Sequence, residues 1–169
     1  IDTDASDLTV ACDGQGNTAA LAAWLASNGG ASASDVCSGV RWSNDYSGLS
    51  DGCGATGAAT VTFTATDSCG NATSTTATFT IIDTIAPTID TDASDLTVAC
   101  DGQGNTAALA AWLASNGGAS ASDVCSGVRW TNNFTVLSDG CGATGAATVT
   151  FTATDSCGNA TSTTATFTI

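Results

Sequence analysis

Residues Ile1 to Ile81 recur as Ile89 to Ile169 at an offset of 88 without a gap, and only positions 43, 45, 46, 47 and 48 differ from their counterparts 131, 133, 134, 135 and 136. Such self-similarity is the signature of one small domain written twice rather than of one large fold. The expected organisation is repeat 1 over 1–81, a linker over 82–88 and repeat 2 over 89–169. The repeat begins and ends in mid-pattern, as expected of an excerpt from a longer array.

Within one copy the hydrophobic period changes along the chain. In "DLTVAC", Leu8, Val10 and Cys12 alternate with Thr9 and Ala11, the period of a half-buried strand. In "TAALAAWLASNGG", Leu21, Trp24 and Leu25 share one helical face, with Asn17 or Thr18 as the cap and Gly29 or Gly30 as the stop. A helix of about ten residues does not persist alone, so this face must pack onto strands. Val40, Trp42 and Tyr46 mark a further strand. "AATVTFTATD" and "TSTTATFTII" alternate apolar residues (Val61, Phe63, Ala65; Ala77, Phe79, Ile81) with threonines, and the turn "DSCGNA" between them predicts a hairpin. The expected fold is mostly β: an immunoglobulin-like β-sandwich with a short inserted helix, in two tandem copies.

Each copy carries four cysteines: Cys12, Cys37, Cys53 and Cys69, then Cys100, Cys125, Cys141 and Cys157. An even count in a small repeat, with no His and no C-x-x-C pair, reads as a disulfide framework rather than zinc, and places the chain outside the cell. Four cysteines allow three connectivities. If the repeats are strung end to end, so that the first strand starts and the last strand finishes at opposite poles, Cys12 and Cys53 fall at one pole and the "DVC" and "DSC" turns at the other. This predicts Cys12 with Cys53 and Cys37 with Cys69, hence Cys100 with Cys141 and Cys125 with Cys157.

The acidic residues are all Asp, the only cations are Arg41 and Arg129, and the formal charge is −14. A nucleic-acid partner is thereby disfavoured, since phosphate binding needs a basic footprint. No apolar run approaches the length of a membrane-spanning helix. Without His or Lys, neither a nucleophilic triad nor a lysine base is available, and Asp pairs such as Asp51 with Asp67 lack any sign of a cleft. The expectation is that the chain is not an enzyme.

The stretch "VTFTATDSCGNATSTTATFTIIDTIAPTI", with its "TATD", the "GN" of the following turn, the last Thr-rich strand and the "DTIAP" linker, resembles the hyalin-repeat class of immunoglobulin-like domains. It is also similar to tandem repeats of secreted bacterial surface proteins. "SDVCSGV" resembles the Asp-x-Cys turn of that group. The resemblance covers roughly 34–89 and 122–169 and does not extend to the helical segment. It implies an extracellular, modular, non-enzymatic domain of structural or adhesive proteins.

Two kinds of site are suggested by the residues. Asp67, Asp83, Asp90, Asp92 and Asp155 form a candidate oxygen-ligand set for Ca2+ around the linker, against the simpler role of Asp in capping turns. Asn71, Asn133 and Asn159 begin N-x-S/T sequons, and the outward threonine rows are O-linked candidates. The linker "IDTIAPT" has no Gly, and Pro87 restricts both itself and Ala86, so it is expected to be stiff, with Ile82 or Ile85 buried at the joint. The functional expectation is a structural repeat of an extracellular rod, stalk or filament, partnered by neighbouring repeats or further copies. The alternative is an adhesin module that binds a surface glycan or protein through the variable strip 43–48 and 131–136, where exposure of Tyr46 and Phe134 would be the sign.

Overall fold

The computed structural model describes residues 1 to 169. The chain divides into two compact units, Ile1–Thr84 and Ile85–Ile169. Unit 1 contains strands β1 (Leu8–Ala11), β2 (Arg41–Asn44), β3 (Gly57–Thr66) and β4 (Ala72–Ile82), with helix α1 (Thr18–Ala26) between β1 and β2. Unit 2 contains β5 (Thr88–Thr91), β6 (Leu96–Thr97), α2 (Thr106–Ala114), β7 (Ser120–Ser122), β8 (Arg129–Asn132), β9 (Ala146–Thr154) and β10 (Ala160–Thr168).

In unit 1 the sheet order is β1-β4-β3-β2, and in unit 2 it is β6-β10-β9-β8. The threonine-rich runs form the expected hairpin, with β3 antiparallel to β4 from Gly57 opposite Ile81 to Thr66 opposite Ala72. The first strand lies parallel to the last, Leu8 opposite Phe79 and Ala11 opposite Ile82. A parallel first and last strand forces the chain to enter a repeat at one pole and leave at the other. Cys12 therefore stands at the exit pole, where its N–H donates to Ile82 O at 2.8 Å.

Period-2 alternation sends Val61, Phe63, Phe79 and Ile81 to one face of the sheet, where they are buried with Leu21 and Trp24 of α1. The Trp24 ring meets Phe63 edge-on at 5.2 Å and Phe79 at a tilt of 49°. Its Nε1 donates to Ser6 O at 3.0 Å, so the polar edge of a buried indole is satisfied. The helix thus supplies much of the layer opposite the sheet. Each unit also has a short ribbon: a single bridge, Thr3 to Ser32, in unit 1, and the β5–β7 pair in unit 2. The fold is mostly β: in each of two copies a four-stranded sheet packs one face against a short inserted helix.

Helix α1 starts differently from the expected cap. Asn17 occupies the N-cap position in a left-handed conformation at φ 49° and its side chain caps nothing. Instead, Asn17 Nδ2 donates to Ala11 O at 2.8 Å and Oδ1 accepts from Asp13 N at 3.2 Å. Asn is among the few side chains that tolerate this conformation while bonding locally. The amide joins the end of β1 to the helix start.

The helix ends in "NGG", with positive φ at Asn28, Gly29 and Gly30. Gly29 is constrained by space as well: a Cβ there would lie 3.0 Å from the Phe63 ring and 3.1 Å from Ala5 Cβ. Gly29 O also accepts from Ser6 N at 2.9 Å, tying the entering chain across the helix end. Gly29→Ala should therefore destabilise unit 1 by about 1–3 kcal/mol through overpacking and the left-handed backbone. Chemical denaturation checks this, with Gly30→Ala, whose Cβ meets nothing within 4 Å, separating crowding from backbone strain.

Candidate functional site

The residues that carry chemistry gather in the turns at the two ends of each sheet. At the entry pole of unit 1, Asp35 Oδ1 accepts from Cys37 N at 2.9 Å and Ser38 N at 2.8 Å. Asp67 Oδ1 accepts from Cys69 N and Asn71 N at 2.8 and 2.9 Å, and Oδ2 accepts from Asn71 Nδ2 at 2.7 Å. The "DVC" and "DSC" turns touch through Ser68 N donating to Ser38 Oγ at 3.3 Å. Unit 2 repeats this contact, Ser156 N to Ser126 Oγ at 3.1 Å. Asp35, Asp67, Ile1 and Ser34 line an open cleft of about 170 Å³.

At the exit pole the Cys12 Sγ lies 3.7 Å from Ala55 O, in the loop that carries Cys53. Cys100 Sγ makes the same approach to Ala143 O at 3.6 Å. Cys12, Cys53, Cys125 and Cys157 are disulfide-bonded. Cys37, Cys69, Cys100 and Cys141 are thiols. The bonded positions of one unit are the thiol positions of the other, although the two sequences are identical around every cysteine.

Of the carboxylates named for calcium, each one in the turns and strands already accepts from protein donors. Asp90 takes Ser122 Oγ at 3.0 Å, Asp92 takes Thr163 Oγ1 at 3.1 Å, and Asp155 Oδ2 takes Asn159 Nδ2 at 2.8 Å. Asp83 is half-buried just after β4. Within either unit no three carboxylates or thiols converge as a metal-ligand group.

Hydrogen bonding lowers several of these carboxyls from their ordinary range. The Asn71 side-chain amide and backbone hold Asp67 down, and the backbone N–H groups of Asn17 and Gln15 do the same for Asp13. The Thr62 N–H lowers Asp45. For Asp155, burial pushes upward but the Asn159 amide and backbone outweigh it. A carboxyl lowered in the folded state stabilises fully above its unfolded value near 3.9 and loses that contribution as pH falls through the folded value. Thermal stability should therefore drop on acidification below about pH 4. Asp67→Asn should blunt that drop in unit 1, as measured by melting curves across pH.

The sequons differ in how their amides are held. The Asn71 and Asn159 Nδ2 groups are engaged by Asp67 and Asp155, whereas Asn133 bonds through Oδ1, which accepts from Thr150 N at 2.8 Å. Asn133 stands where unit 1 has Asp45, whose Oδ1 accepts from Thr62 N at 2.7 Å. The substitution between copies preserves the bond.

In the variable strip, Tyr46 and Phe134 are half-buried and pack against the two cores. The linker expectation needs correction: Ile82 and Ile85 are 40% and 64% exposed, and Pro87 is buried instead. The strand period explains Ile82, since Phe79 and Ile81 cannot both face the core unless Ile82 faces away.

The roles of Asp7 and Asp95 are not legible in the sequence. Asp7 Oδ1 accepts from Thr78 N at 2.7 Å, and Asp95 Oδ1 from Thr166 N at 2.7 Å. Thr75, buried on the apolar side of β4, accepts from Ala5 N at 3.1 Å. The one signal for these bonds is a break in alternation at Thr75, where two threonines stand side by side.

No protein-family model matches the chain, and no curated protein matches it. Among solved structures it is similar to protocadherin gamma C5 EC1-3 at 10% identity and a TM-score of 0.33, covering 66% of this chain and 43% of that one. It is also similar to Drosophila N-cadherin EC1-4 at 14% identity and a TM-score of 0.32, covering 78% of this chain and 41% of that one. The chain thus spans less than half the length of either.

Proposed function

We propose that the chain is a structural segment of an extracellular rod, stalk or filament, built from hyalin-repeat-like modules and without enzymatic activity. The observation that carries this reading is what the polar groups do. The Asp side chains of the turns, the paired threonines and the four bonded cysteines are engaged in holding strands and turns in place. Thr60 and Thr78, for example, bond each other across the hairpin at 3.0 Å. Near-identity of the copies fits a part that needs equivalent units, not two specialised sites.

We further propose that both predicted bridges close in each repeat, Cys12 with Cys53 and Cys37 with Cys69 in the first, and their counterparts in the second. The support is the complementary bonding of two identical sequences. Each closure joins two thiols with loss of two protons and two electrons to an oxidant such as dioxygen or a disulfide oxidoreductase. Calcium is a separate proposal on the strongly acidic surface. A thermal shift on adding it to the two-repeat chain is expected, and neither shift nor binding heat would remove it.

An adhesin reading is tested by exchanging 43–48 for 131–136 in both directions. A structural segment keeps its assembly and its binding to surfaces unchanged. Loss of surface binding on exchange would favour the adhesin instead.

A further inference from the structure

The entering segment of each repeat is fastened to the last strand over residues 5–12 in unit 1 and 93–98 in unit 2. In unit 1, Ala5 N donates to Thr75 Oγ1, Thr78 N donates to Asp7, β1 runs parallel to residues 79–82, and Cys12 N donates to Ile82 O. Unit 2 repeats the series with Ala93 N to Thr163 Oγ1, Thr166 N to Asp95, Leu96 opposite Phe167, and Val98 N to Thr168 O. All these contacts join the two chain segments on which tension along the array would act.

Direction decides what tension does. Because β1 and β4 are parallel, a pull on the chain before β1 and a pull on the chain after β4 point in opposite directions along the strands. The bonds are then loaded sideways and share the load, so they must fail together. If the first and last strands were antiparallel, the same pull would enter at one end and open the bonds one by one. Parallel ladders also space their bonds evenly, which spreads the load.

We propose that each repeat is a tension-resisting unit, in which the segment 5–12 and strand β4, and likewise 93–98 and β10, form a shear clamp against force along the chain. The proposal rests on the structural reading above and adds what the repeat resists. The Asp7 and Asp95 carboxylates are pins of this clamp, since each reaches past the ladder to a β4 or β10 amide. The Cys12–Cys53 bridge limits the extension released by rupture. It removes residues 13–52 from the extensible path, which shortens the released length by roughly 140 Å per repeat.

The test is constant-force stretching of the two-repeat chain held at its termini. Asp7→Ala with Asp95→Ala should rupture about fivefold faster at the same force, the factor expected for one lost hydrogen bond at the barrier. Asp7→Asn with Asp95→Asn keeps an Oδ1 acceptor and should restore most of the wild-type rate. Asp67→Ala with Asp155→Ala, in turns outside the clamp, should leave the rupture rate unchanged even as it lowers thermal stability. Reduction with a small-molecule dithiol should lengthen each step by the bridged segment. The proposal is overturned if the Asp7 and Asp95 alanine variant ruptures at the wild-type rate, or if the Asp67 and Asp155 variant ruptures equally fast. Neither outcome bears on whether the native material is filamentous, which imaging reads independently.

Discussion

Replacing Trp24 by alanine is expected to cost unit 1 about 3–5 kcal/mol, the range for deleting a large buried aromatic. The indole is 6% exposed, lies against both Phe63 and Phe79, and satisfies Ser6 O through Nε1. Its removal leaves a cavity between helix and sheet and an unpaired carbonyl where the entering chain crosses the helix. A domain of this size has a total margin of about 4–12 kcal/mol, so the loss is a large share of it. The melting temperature of unit 1 should fall by roughly 15–30 °C, while unit 2 keeps its own transition around Trp112. Calorimetry of the single variant should then show two separated transitions. A shift of only a degree or two would mean that the helix is not part of the core.

Reduction of the disulfides should have an effect of similar size. In the chain-entropy account, bridges closing loops of the length between Cys12 and Cys53 or between Cys37 and Cys69 are each worth about 4 kcal/mol. Two such bridges per repeat rival the whole margin of a domain with a thin core. The native chain should take up no alkylating reagent until reduced, and the reduced chain should melt far below the oxidised one. Peptide mapping should recover Cys12 with Cys53 and Cys37 with Cys69. Two alkylated thiols per repeat in non-reduced material would contradict the full framework.

The hairpin and the helical face are legible in the sequence because both rest on hydrophobic period, and the strongest periods in the chain are "TVTFTAT" and "ALAAWLA". The direction of the first strand agrees with chain entry and exit at opposite poles, which puts Cys12 at the exit end. Other features depend on groups brought together from far along the chain. Asp7 meets Thr78 across the full length of the repeat, and nothing in "DTDASD" distinguishes Asp7 from Asp2 or Asp4. Asn17 resembles an ordinary cap in sequence, yet its amide does better by joining Ala11 and Asp13. A β-branched apolar residue in a linker suggests burial, whereas Ile82 continues the outward rank of β4 and Ile85 stands exposed beyond it. Proximity in sequence groups Asp83, Asp90 and Asp92, and placement at one pole adds Asp155, but the partners of Asp90, Asp92 and Asp155 become visible only in the fold.

We propose that this chain serves as a structural segment, by its shape and strength. Electron microscopy of the native material tests it most directly. Extended filaments or stalks with a regular repeat along their length are expected; isolated short monomers would contradict the structural role.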